Sequence, residues 1–106
     1  LNSGGITLKI INLESRLQDQ EKFINPLTNF EKTKMVQIQL KKGIGIPEHN
    51  ANADVLIVVQ KGKVEFNVAG ERVELAPSTI LYMEPKEQHS LLALEDVELL
   101  LLRMER

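Results

Sequence analysis

The sequence contains no cysteine. Disulfide staples, thiolate metal sites and thiol nucleophiles are therefore excluded, and the absence fits the cytoplasmic location we expect. Long apolar runs are also missing. The longest is Val55 to Val59, far short of the roughly 20 residues a membrane helix needs. Strong charge of one sign is absent too: 13 Lys and Arg stand against 15 Asp and Glu, for a net charge of −2. Nucleic acids and anionic membranes want a clustered basic surface, so neither is an expected partner. Residues 1–5, Leu-Asn-Ser-Gly-Gly, lack the basic-then-apolar layout of a signal peptide and read as a flexible end. Gly43 and Gly45 have neither a third glycine nor a following helix, so they form no nucleotide loop. Ser78, Thr79 and Ser90 have no histidine–carboxylate spacing that would suggest a serine hydrolase.

What remains is a chain of 106 residues, 42% apolar and 26% charged. It is long enough for one core and one domain, with the composition of an ordinary globular protein. Ile6, Leu8 and Ile10 alternate over Ile6 to Leu13 and predict a first edge strand. Leu13, Leu17 and Ile24 recur near helical spacing and predict a short helix or irregular turn. Ile24 to Thr33, with Pro26 and two asparagines, reads as a connection. Residues 6–33 thus form an amino-terminal strand and linking segment, and residues 34–106 the main body.

From Lys34 the pattern is β throughout. Val36, Ile38 and Leu40 alternate with Gln37, Gln39 and Lys41, as on a half-buried strand. Gly43, Gly45 and Pro47 end it, and a loop carries His49. Val55 to Val59 is continuously apolar and β-branched, which predicts a central strand buried on both faces. Val64, Phe66 and Val68 alternate, Ala69-Gly70 is a two-residue turn, and Arg72 to Leu75 returns. Thr79 to Met83, His89 to Leu94 and Val97 to Arg103 complete the set. Short strands every eight to twelve residues or so, with no helix between them, argue for an all-β sandwich or barrel.

His49 and His89 are the only histidines. Gly43, five intervening residues, His49 and then Gly62 resemble the first motif of the small single-domain cupins. Glu84-Pro85-Lys-Glu-Gln-His89 stands in the place of their second motif. The resemblance runs from about residue 34 to 103. It implies a double-stranded β-helix of the jelly-roll, RmlC-like type. The chain departs from the family where metal is usually held. The second histidine of the first motif falls on Ala51 and the glutamate on Val55, and an opening glycine falls near Pro77 or Ser78. His49 and His89 alone remain of four usual ligands, as in the branch with a reduced metal site.

Two histidines could hold a divalent metal, with iron, manganese, nickel and zinc as candidates. A catalytic centre generally wants a third protein ligand. Glu48, Asp54 and Glu84 are the carboxylate candidates, and Gln37 or Gln39 could lend an amide oxygen. Asp54 precedes Val55, so on a regular strand the two face opposite ways. Tyr82, the only tyrosine, is a candidate for the pocket or for core packing.

Two functional readings follow. One is a binding module with an apolar pocket in which His49, His89 and Tyr82 orient a small molecule. The other is a metal-dependent enzyme. For that reading the resemblance implies dioxygenases, isomerases and decarboxylases acting on small organic acids or sugars. We also expect a homodimer, with Ile6 to Leu13 crossing between subunits to cover a sheet edge.

Overall fold

The computed structural model describes residues 8–106. Nine strands, β1 to β9, make two antiparallel sheets that face each other. They are β1 (Lys22–Phe30), β2 (Thr33–Leu40), β3 (Gly45–His49), β4 (Asp54–Lys61), β5 (Val64–Val68), β6 (Glu71–Leu75), β7 (Ile80–Met83), β8 (His89–Ala93) and β9 (Val97–Met104). One sheet has the order β1-β2-β9-β4-β7 and the other β3-β8-β5-β6. This is the expected all-β double-stranded β-helix.

The core follows from the period of two in the strands. Ile38 and Leu40, Val55, Ile57 and Val59, and Val97 and Leu99 point inward from the first sheet. Val64, Phe66, Leu75, Leu91 and Ala93 meet them from the second. The tight turn expected at Ala69-Gly70 forms with positive φ at both residues, 50° and 86°, as a two-residue hairpin requires. Gly62 (φ 81°) has a second reason to be glycine: a Cβ there would stand 2.0 Å from the Asp96 carbonyl oxygen.

Several expectations need correction. Leu8 to Leu13 form no strand, and among the described residues there is no helix; the residues before Leu8, including the end expected to be flexible, lie outside the described part. Residues 17–19 form a turn. The expected connection from Ile24 is β1, which runs through Pro26 with a register shift between Pro26 and Thr28. The expected loop before His49 is β3, which contains Pro47. Both missed strands are sheet edges, where a proline's missing N–H removes no ladder bond. The strand of Val55 is central, but only its inward side is fully buried; Leu56 and Val58 are half-buried.

Gln37 and Gln39 are buried on the side of β2 away from the lumen. The Gln39 amide donates to the Glu14 carbonyl at 2.8 Å and accepts from the Arg16 N–H at 2.7 Å. It thereby binds the segment before β1 much as a neighbouring strand would. Neither glutamine offers an oxygen to a site between the sheets.

Candidate functional site

β3 pairs with β8 through Gly45↔Leu92 and Ile46↔Leu91, then shifts register to His49↔His89. Three steps along β3 match two along β8, so one extra residue is inserted at Pro47-Glu48. The consequence is a change of face. Ile46 lies opposite the inward Leu91, and on a regular strand a residue three places on would point outward. The bulge re-aims His49 toward the open edge of the lumen, where it stays exposed, and sets it against His89. The ring centroids are 4.1 Å apart and the planes meet at 62°.

Both imidazoles are held in one tautomer. The Nδ1 of His49 lies 3.0 Å from the Pro47 carbonyl oxygen, and the Nδ1 of His89 lies 3.0 Å from that of Glu87. A carbonyl oxygen only accepts, so each Nδ1 carries a hydrogen, and in the neutral ring the lone pair is on Nε2. His89, only 2% exposed, is pushed below its ordinary pKa of 6.5, mainly by burial and further by the neighbouring His49, against an opposing pull from the Glu87 carbonyl.

The pair stands at the side of a cavity of about 280 Å³ between the sheets. Ile38, Ile46, Val55, Leu91 and Leu101 form apolar walls, and Ala51 and Val55 line it where the cupin motif would place ligands. Two further polar residues line it, Asn50 and Arg103; Arg103 was not singled out from the sequence. A signal for it was present. Val97, Leu99 and Leu101 alternate inward along β9, and the next position in that series is Arg103. Its cross-strand partner on β4 is Val55, which is 3% exposed, so both side chains belong to the lumen face.

The other residues singled out from sequence lie elsewhere. Tyr82 is on the outer face of β7, 51% exposed, because the inward neighbour is Met83. Its hydroxyl donates to Asp54, which also takes two hydrogen bonds from Arg106, at 2.9 and 3.0 Å. Those hydrogen bonds, Arg106 first and Tyr82 second, hold the Asp54 carboxyl down to about 2, and the same contact with Asp54 raises the Tyr82 hydroxyl. Asp54 faces away from the lumen, as its place before Val55 predicted. Glu48 is exposed within the β3 bulge, and Glu84 is exposed at a surface recess beside Val68 and Tyr82. Among the described residues no three of His, Cys, Asp and Glu gather around one point. The two Nε2 lone pairs suit a metal ion, but the third protein ligand of a catalytic centre is not supplied.

The AraC-like ligand binding domain family model matches residues 39–105. A search of curated proteins gives no match. Among solved structures, an RmlC-like cupin from Desulfovibrio desulfuricans superposes with a TM-score of 0.82 at 25% identity, covering 92% of this chain and 97% of that one. An RmlC-like cupin with a double-stranded β-helix from Methanocaldococcus jannaschii gives 0.80 at 18% identity, covering 95% and 94%. A conserved protein of unknown function from Streptococcus pyogenes gives 0.78 at 20%, covering 95% and 98%.

Proposed function

The chain belongs to the AraC-like ligand binding domain family and is a small cupin, and from that premise we propose that it is a binding module holding a small molecule in the lumen beside His49 and His89. The observation that carries this reading is the cavity itself. It is a cleft between the two sheets, open at one side, walled by aliphatic side chains and supplied with a few convergent polar groups, the usual make-up of a small-molecule site. The surface cluster of Asp54, Tyr82 and Arg106 satisfies its own hydrogen bonds, and the recesses beside it are larger but more open and more polar than the lumen.

Methyl NMR against mixtures of sugars, aromatic acids, amides and alcohols tests the reading. Shifts at Ile46, Leu91 and Leu101 are expected in the wild-type protein, and their loss in Val55→Phe, which fills the cavity. Perturbations confined to the outer recesses in both proteins would overturn it.

A second reading is favoured by the two free Nε2 lone pairs: a divalent metal ion held by His49 and His89, at partial occupancy. We assign it no reaction. Elemental analysis of tag-free protein after incubation with iron, manganese, nickel and zinc tests it, with His49→Ala as control. Stoichiometric metal that disappears in the variant supports the site, and equal metal in both proteins removes it.

The proposal also takes the protein to be a homodimer. Leu56, Val58, Ile80, Leu100 and Leu102 lie on the outward face of one sheet, half-buried or exposed, and a second copy would cover them. Light scattering should show the dimer lost in Leu102→Glu. A variant that stays dimeric would point to another interface, with the segment up to Leu13 as the next to delete.

A further inference from the structure

Arg103 has no partner for a buried donor. Its Nε is buried and, among the described residues, makes no hydrogen bond and takes part in no ion pair. No Asp or Glu lines the lumen cavity. The cross-strand neighbours of Arg103 are Val55 on β4 and Lys34 on β2, one apolar and the other of like charge. Buried polar groups are nearly always satisfied, and a guanidinium presents its donors as a planar fork matched to a carboxylate. The residue lines the cavity while its Nε has no accessible surface and no partner, so a small turn of the side chain would present the fork to an acceptor in the lumen.

The surroundings agree with an anion entering there. Arg103 also lines a surface recess with Asn52, Lys86 and Arg106, so its side chain stands between the lumen and the outside. Lys86 occupies that recess with φ at 70°, a left-handed conformation that disfavours any residue with a side chain. Its N–H donates to the Ala51 carbonyl at 2.8 Å, which ties the two loops flanking the recess together.

We propose that the lumen takes a small carboxylic acid with an apolar body, its carboxylate gripped side-on by Nε and a terminal nitrogen of Arg103. This deepens the binding-module reading and rests on it. The walls accept the apolar body, and Nε2 of His89, which burial holds toward the neutral form, accepts a hydrogen bond from any hydroxyl or N–H the ligand carries. An apolar cavity of roughly 150 Å³ takes benzene. A volume of about 280 Å³ then suits an acid of about ten non-hydrogen atoms, by the same proportion.

The test compares phenylacetate with phenylacetamide, which share size and shape and differ in charge. Calorimetry and methyl NMR on the full chain should show phenylacetate binding at least tenfold tighter than the amide, with shifts at Ile46, Val55 and Leu91. Arg103→Gln should bring that ratio close to one by weakening the acid more than the amide. Arg103→Lys, which keeps the charge but loses the fork, should give an intermediate ratio and serves if the glutamine variant does not fold. Equal affinities in the wild-type protein, or a ratio that survives Arg103→Gln, would overturn the carboxylate assignment and leave the lumen site standing. Inorganic phosphate displacing phenylacetate at equal concentration would also overturn it, since the apolar body would then contribute nothing. No shift with either probe overturns it as well, and whether other molecules enter the lumen is then decided separately by the mixture screen and the Val55→Phe control.

Discussion

Arg103 lies in β9 and Arg106 three positions on, just past its end, yet their surroundings are opposite. Arg106 reaches the outer rim, where Asp54 takes hydrogen bonds from both Nε and a terminal nitrogen and Tyr82 donates to the same carboxylate. Arg103 points inward and leaves its Nε unpaired. The rim cluster is saturated by the chain's own side chains, in solvent, where such pairs contribute little to stability. The lumen arginine is unsatisfied in a setting where an unpaired donor is expensive. Saturation marks a structural contact, and a buried vacancy beside a cavity marks a place for a ligand.

The contrast can be broken most forcefully by supplying the missing acceptor. Val55→Asp puts a carboxylate directly across from Arg103. In an Arg103→Met background the same substitution buries a lone charge and should destabilise by about 3–5 kcal/mol. With Arg103 present the loss should be clearly smaller, and acid binding should vanish. Urea denaturation of the four proteins reads the coupling, and equal losses in both backgrounds would show that the two side chains do not meet.

A smaller effect of opposite sign is expected from Arg103→Met alone. Methionine fills the same space without a donor, so the variant should gain about 1 kcal/mol, seen as a higher Tm, while losing the preference for acid over amide. A lower Tm would mean that Arg103 is satisfied in solution.

The two regions should also separate on a pH axis. His89 has a folded-state pKa below 6.5, so the unfolded chain takes up its proton first. The contribution is whole above 6.5 and is lost as pH falls through the lower folded-state value. Asp54 is held near 2 against an ordinary 3.8, so its contribution is whole above 3.8 and is lost as pH falls toward 2. Melts across this range should show two declines, with His89→Gln flattening the first and Asp54→Asn the second. A single decline unaffected by His89→Gln would remove the histidine from the account.

The smallest effect belongs to Arg106→Ala. Its Tm should stay close to that of the wild type, and phenylacetate affinity should not change. A large loss of binding would bring the rim cluster into the ligand site.

Much of this molecule can be read from residue order. The alternation of Val36, Ile38 and Leu40, and of Val64, Phe66 and Val68, predicted strands that the structure contains, because a half-buried strand requires that period. The turn at Ala69-Gly70 was equally legible. The strands through Pro26 and Pro47 were not. Proline reads as a breaker unless the strand is known to be a sheet edge, and edge position is a property of the assembled sheets. The same limit applies to the site. That His49 and His89 belong together could be expected from their being the only pair and from the cupin resemblance. The bulge that brings His49 to the edge of the lumen depends on the pairing of β3 with β8.

The sequence by itself determined an all-β, cysteine-free chain with two histidines, whose apolar positions can form one core. These follow from local chemistry: side-chain alternation, turn residues and composition. Only the tertiary structure decided which groups face the lumen and which the solvent. It turned Gln37, Gln39, Asp54 and Tyr82 outward, brought His49 to the edge of the lumen through one extra residue, and left the Arg103 Nε without a partner among the described residues. The reason is that a strand's face is defined relative to its neighbours. A register set by strands distant in the chain reverses it with a shift of one residue.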